Sequence, residues 1–324
     1  MLLIISGHIK GGFNIREWTG ALPAAERKVT GLENVTAIRR KNRPVPVMAQ
    51  TVKGSAEFLF FPEIEKTGVV RHLMSTRLGG VSEGDLWSMN VSYSRGDRKE
   101  NVDENYRRIA EALGCGMEDF VFSDQTHTTN IRHVTGADRG KGILRPRDYA
   151  DVDGMITDEP GIVLSTFYAD CVPLLFVDPV KKAVGLSHSG WKGTAGCMGR
   201  KTVEAMQEAF GSRPEDILAG IGPSICRDCY EVSKDVAEVF QALFAEDIMR
   251  KTGVGIREIL EEKGNEKYQL DLWKANEAIC LSAGISPEHI SVTDVCTCCN
   301  PTYLFSHRAS NGRRGNLGMF VVLN

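Results

Sequence analysis

Histidine is scarce in this chain: seven in 324 residues, with no His-x-His pair. A centre that gathers several copper ions needs many more imidazoles, usually paired in that way, so such chemistry lacks donors here. No window approaches 18 consecutive apolar residues, so no membrane span is expected. The opening Met1-Leu-Leu-Ile-Ile is too short for the apolar region of a signal peptide and has no basic start, so a cytoplasmic protein is expected. Nine cysteines without a secretion signal then read as reduced thiols. There is no Pro/Gly/Ser linker and no internal repeat, which favours one large domain. A net charge of −3 gives no case for nucleic-acid binding. The sequence sets no oligomeric state.

What is present is a 42% hydrophobic composition, enough for a substantial core. Charge is uneven: residues 1–47 hold eight Lys or Arg against three Glu, or +5, leaving −8 for the rest. That basic head reads as a poorly packed extension ahead of a domain spanning 48–324. Strands are expected at 57–61, 69–75, 162–167, 217–221 and 318–323. Helices are expected around Val102–Leu113, Lys201–Phe210, after Ser233, and from the cap Asp271 to Ser282. The charged stretch Lys251–Lys267 reads as a mobile surface connection. Strands and helices mix without a βαβ repeat, so the expected class is α+β, with mixed or largely antiparallel sheets. The glycine-rich loop Arg77–Gly84 could approach an anion through its backbone, although a plain turn is the default.

The stretch that organises the chemistry runs from Ala169-Asp170-Cys171 to His188-Ser189-Gly190-Trp191. Two apolar runs flank Asp178-Pro179-Val180-Lys181, which suits a type I turn and hence a hairpin. If Asp178 pairs with Lys181, a regular register sets Cys171 directly opposite His188, on one face. A thiol beside an imidazole is either a nucleophile with its base or two ligands of a metal that needs a third. His127, in Asp124-Gln125-Thr126-His127, follows a short apolar run and is the candidate third ligand at a sheet rim. Asp151-Val152-Asp153-Gly154 is a turn signal whose carboxylates could equally do acid–base work. Cys226 and Cys229 form a C-x2-C pair, whereas Cys296, Cys298 and Cys299 read as C-x-C-C and fit no regular zinc ribbon. Cys226 and Cys229 could be a redox pair or half of a second, structural zinc site whose other half is Cys296, Cys298 and Cys299. Reduced core or rim thiols are the preferred reading of these five.

The blocks QTH, ADCVPLLFVD and HSGWKGT resemble signatures of the laccase-domain, or multicopper polyphenol oxidase-like, proteins. STRLGGVSEGDLWSMNVS, DVDGMITDEPGIVLSTF, GIGPSICRDCYEVS and the C-terminal CTCCNPTYLFSHRASNGRRGNLGMFVVLN agree, in family order, over about residues 55 to 324. The resemblance implies a zinc-dependent purine nucleoside phosphorylase, acting on adenosine, inosine, guanosine or 5′-methylthioadenosine with inorganic phosphate. It also implies a fold with mixed or antiparallel sheets packed centrally and helices flanking them, and adenosine deaminase activity; some bacterial members are called peptidoglycan editing factors. It further implies that His127, Cys171 and His188 bind the metal, zinc, with copper as the alternative. Three protein ligands leave a fourth position open, the catalytic rather than the structural pattern. Asp170 could orient an imidazole. From the matching blocks Arg77 and Arg308 are candidate phosphate clamps, Asn90 a substrate residue, and His307 a proton donor to the leaving base. Arg313 and Arg314 read as solvated loop charges. Three rival readings remain: a Cys–His hydrolase or amidase acting in peptidoglycan editing, a copper-dependent polyphenol oxidase, and a non-enzymatic metal-binding scaffold with a protein partner.

Overall fold

The computed structural model describes residues 47–245 and 247–324, with the backbone of two short paired strands, His8–Ile9 and Phe13–Asn14. The expectation for residues 1–47 otherwise lies outside the described residues. Val47 packs on the core and Met48 is wholly buried within it.

Two six-stranded sheets lie face to face. The first runs in the order Ile290–Val292, Leu218–Ile221, Val172–Asp178, Ala183–Ser189, Gly154–Thr157, Ile131–His133. Its inner pairs are antiparallel and its two outermost pairs parallel. The second runs Ala49–Lys53, Ala56–Phe60, Val70–Ser75, Leu317–Leu323, Val163–Tyr168, Phe120–Phe122, with only the last pair parallel. The α+β class with central mixed sheets therefore holds.

Side-chain alternation explains why the central hairpin is apolar throughout. Leu175, Val177, Val184 and Leu186 enter the core between the sheets, together with Leu164, Met319 and Val321. Leu174 and Phe176, one residue out of phase, face a second core with Val203, Met206 and Ile279 of the helices Met198–Phe210 and Leu272–Ser282. On the far side of the second sheet, helix Lys99–Leu113 lays Val102, Tyr106 and Ile109 on Phe58, Leu73 and Phe320. The result is four layers: helices, sheet, sheet, helix. Among the described residues no helix is long and apolar enough to cross a membrane.

Two expectations change. Lys251–Lys267 is not an unstructured connection. It carries helix Asp247–Thr252, a helical turn Ile256–Ile259 and strand Leu260–Gly264, paired antiparallel with Lys267–Leu270. Asn265 and Glu266 both adopt positive φ, the requirement of a two-residue hairpin turn that Asn meets and Glu disguises. The glycine loop 77–84 is a packing device. A Cβ on Gly79 would lie 1.9 Å from the Ser55 carbonyl oxygen, and one on Gly80 2.1 Å from that of Ser88.

Candidate metal centre

The hairpin is present, but its register differs from the expected one. Asp178 pairs with Ala183, and Pro173, not Cys171, faces His188. The turn is longer because Asp178 Oδ1 accepts N–H from both Val180 (2.8 Å) and Lys181 (2.9 Å), and Lys182 closes the loop at φ 52°. The slip is two residues, an even number, so Cys171 keeps the face of His188 and becomes its diagonal neighbour. Cys171 lies just past the strand end, where Ala169-Asp170-Cys171 carries the chain from the second sheet to the first. Asp170 makes that crossing at φ 87°.

His127 completes the set. Its nitrogen, the Cys171 sulfur and a His188 nitrogen all lie within 4.8 Å of one another. Cys171 Sγ is 4.0 Å from His127 Nε2, and the two imidazole centroids are 4.9 Å apart. His127 holds a left-handed backbone, φ 66°, a conformation costing a non-glycine residue roughly 1–3 kcal/mol. Asp153 sustains it. This fully buried carboxylate accepts the N–H groups of Thr126 (3.0 Å), His127 (3.2 Å) and Thr128 (2.9 Å), and contacts His188 Nδ1 at 2.7 Å. Gly190 lets the three ligands converge: a Cβ there would sit 3.0 Å from Cys171 Sγ and 3.1 Å from His127 Cδ2.

The imidazole-orienting carboxylate is thus Asp153, not Asp170. Asp170 instead accepts the Thr297 hydroxyl (2.6 Å) and the Arg308 N–H (2.7 Å), tying the C-terminal loop to the site. Burial would raise the Asp153 pKa. The His188 contact and the N–H groups of Thr128 and Thr126 outweigh it and hold the carboxyl below its usual range. Desolvation would likewise push the Cys171 thiol up. The charge of His188 and contacts with both imidazoles prevail, bringing it to about 6. Burial pulls His188 down, but the Cys171 thiolate and Asp153 prevail and raise it to about 9. Without metal, the pair is thiolate and imidazolium.

The donor set fits a metal. Asp153 occupies Nδ1 of His188 and leaves Nε2 as the nitrogen available to a metal, the arrangement that orients a ligating histidine. Two nitrogens and one thiolate suit Zn²⁺ with a fourth position open. Two cavities meet at the centre, and both are lined by His127 and Cys171. The larger, about 400 Å³, also presents Arg95, Arg147, Phe167 and Arg314. The smaller, about 280 Å³, presents Asp170, Trp191, Lys192, Tyr230 and Leu272.

The arginines expected at the site are employed elsewhere. Arg77 stacks over Phe305 at 4.5 Å and donates to the Trp87 and Pro301 carbonyls. Arg308 donates to the carbonyls of Cys229 and Glu231 (3.1 Å each) and lies 5.5 Å from the Tyr230 ring. Asn90 is buried and accepts N–H from Ser92 and Asn316, shaping the loop Val91–Arg95 at the cavity wall. His307 is exposed and lines neither cavity. Arg314, read as a solvated charge, faces the larger cavity instead. Burial, and then Arg95 beside it, lower its pKa to about 10. Its Nη1 donates to the Gly315 carbonyl (3.2 Å) and to Asn316 Oδ1, while its buried Nε has no protein partner.

A family model described as multi-copper polyphenol oxidoreductase laccase matches residues 71–324, and the chain belongs to that family. Among its relatives, the Bacillus subtilis protein named purine nucleoside phosphorylase YlmD is 38% identical over 251 residues, covering 76% of this chain and 86% of that one. The purine nucleoside phosphorylase of Deinococcus radiodurans is 36% identical over 254 residues, covering 78% and 89%. The crystal structure of YlmD from Geobacillus stearothermophilus superposes with a TM-score of 0.77 at 33% identity, covering 86% of this chain and 99% of that one.

Proposed function

We propose that the chain is a metal-dependent purine nucleoside phosphorylase, with zinc as its metal. Adenosine, inosine, guanosine and 5′-methylthioadenosine are its substrate class, and adenosine deamination is its second activity. The observation that carries this reading is a three-residue centre open to two cavities, the larger lined by three arginines and the smaller by Trp191 and Tyr230. In phosphorolysis a phosphate oxygen bonds to C1′ of the ribose, the bond from C1′ to the purine nitrogen breaks, and the base leaves with a proton. Arg314 and Arg95 hold the phosphate, because a guanidinium fork matches its oxygens and a dianion relieves their mutual repulsion. Trp191 and Tyr230 hold the purine through its π-faces. Lys192 in the same cavity donates to the leaving base. Asp170 positions the wall: it holds the Arg308 backbone, and Arg308 braces Tyr230. Zinc at His127, Cys171 and His188 supplies a Lewis acid beside the reacting centre.

Incubating the purified protein with adenosine and phosphate tests both activities. Adenine and ribose 1-phosphate report phosphorolysis, and inosine reports deamination. Absence of all three would dismiss the reading. A second reading rests on the Cys171 thiol near 6 beside His188: a thiolate–imidazolium pair is also the resting state of a cysteine hydrolase. The two part at His127, which only the metal enzyme requires. Copper chemistry has the weaker footing. The other described histidines, His72, His133, His289 and His307, line neither cavity, so no further imidazole joins the centre.

A further inference from the structure

Four cysteines converge behind the aromatic cavity. The sulfurs of Cys226, Cys229, Cys296 and Cys299 all lie within 4.8 Å of one another, and no disulfide joins them. Four thiolates around zinc, at a Zn–S distance of about 2.3 Å, sit about 3.8 Å apart in a tetrahedron. The cluster thus needs only side-chain adjustment to close on an ion. Cys229 Sγ and Cys299 Sγ are 3.4 Å apart.

The local backbone is arranged as for sulfur ligands. Cys226-x-x-Cys229 forms a 3-10 turn over Arg227–Cys229, and Cys296-x-x-Cys299 a second tight turn. Their bases are joined by the Ser224–Cys296 bridge and by the Thr297 N–H donating to the Ser224 carbonyl at 3.1 Å. Cys296 Sγ accepts N–H groups from Cys226 (3.2 Å) and Cys299 (3.4 Å). Amides donated to sulfur favour the thiolate that a metal requires. Cys226 and Cys296 are buried, while Cys229 and Cys299 are partly exposed, which leaves an entry path. The C-x-C-C spacing expected to exclude a zinc ribbon does not describe the cluster. Cys298 is the extra residue, and without it the pattern is two C-x2-C pairs far apart in sequence.

We propose that Cys226, Cys229, Cys296 and Cys299 form a closed tetrathiolate site for a structural zinc ion, separate from the His127–Cys171–His188 centre. The site joins the turn that carries Tyr230 to the loop that carries Thr297. It therefore clamps the wall of the smaller cavity, because Thr297 and Arg308 both donate to Asp170 and Arg308 binds the Cys229 carbonyl.

The test is metal content of full-length protein purified under reducing conditions from zinc-supplemented cells. Wild type should carry about two zinc ions per chain, and Cys229→Ser/Cys299→Ser about one. His127→Ala should also carry about one, and the combined variant almost none. Cys298→Ser should match wild type. Should the double variant fail to fold, wild type alone still decides. Alkylation read by peptide mass should spare these four thiols until a chelator is added, and cobalt substitution should give the intense sulfur-to-cobalt absorption of a tetrathiolate. Four thiols equally reactive with and without chelator would overturn the site. So would stoichiometric iron in place of zinc, or a Cys229–Cys299 disulfide in reduced preparations. None of these outcomes bears on nucleoside turnover, so this proposal and the phosphorylase reading fail separately.

Discussion

The two ligand clusters of this molecule differ in openness. The His127–Cys171–His188 set has three donors, mixed nitrogen and sulfur, and faces two cavities. The cysteine set has four like donors, two of them buried, and lines neither cavity. An open position lets an ion take substrate or water, whereas a closed shell only holds chain to chain. The positioning groups differ in the same sense. A charged carboxylate, Asp153, orients His188, while backbone amides serve Cys296. The lesson is that donor number and surroundings differ between the two clusters in the way that would separate a reacting metal from a bracing one.

Metal removal sharpens that comparison most. A chelator that empties the open centre should cost several kcal/mol of transition-state stabilisation, or about a thousandfold in turnover, with Tm nearly unchanged. Emptying the cysteine site should instead lower Tm by several degrees. Turnover that survives stripping of the open centre would erase the distinction.

Arg314→Ala comes next. Loss of a charge-assisted phosphate contact worth about 1.5–3 kcal/mol should raise the KM for phosphate roughly ten- to a hundredfold. Adenosine-to-inosine conversion should be largely kept. Arg308→Ala should instead weaken nucleoside binding in both reactions, because its guanidinium braces Tyr230 and the Cys229 carbonyl. Phosphate kinetics that respond to Arg308 and not Arg314 would return the clamp to Arg308, the residue read first.

That exchange marks where the sequence stops being legible. Arg308 and Arg314 lie in one basic loop, and which guanidinium enters the cavity depends on turns that residue types do not encode. The Cys171–His188 pair was readable because strand alternation is robust: an even slip in register moved Cys171 by two residues and left its face unchanged, whereas His127 came from its place at a sheet rim and from the family resemblance. Asp153 was half readable. Its turn signal was plain, but its reach to His188 comes from the pairing of Gly154–Thr157 with Ala183–Ser189, a long-range contact. The α+β class followed from strand and helix patterns mixed without a βαβ repeat, and the central placing of the sheets from the family resemblance. The two halves of the cysteine cluster were visible as a possible zinc site, but Cys298 breaks the regular spacing and turned the reading toward reduced thiols.

Asp153→Asn should weaken zinc affinity about ten- to a hundredfold, as loss of a ligand-orienting carboxylate does. It also places an amide where the N–H groups of residues 126–128 converge, so the loop holding His127 should loosen. Unchanged affinity by competition with a chromophoric chelator would detach Asp153 from the centre.

The smallest effect is on pH dependence. His188 must lose its proton to bind metal, and its pKa is raised to about 9. From there down to about pH 6, affinity should fall about tenfold per unit. Below about 6 the Cys171 thiol also keeps its proton, and the slope should approach a hundredfold per unit. Affinity flat between pH 6 and 9 by the same titration would remove the imidazolium from the resting site.

The central claim is that three residues, not two, make the reacting centre. Its most direct measurement is bound zinc and nucleoside turnover of His127→Ala beside Cys171→Ala, each checked for folding by circular dichroism. Both variants should fold, lose the zinc of the open centre and lose nearly all phosphorolysis. A His127→Ala protein that keeps full turnover while Cys171→Ala is inactive would contradict the metal centre and identify a Cys–His nucleophile in its place.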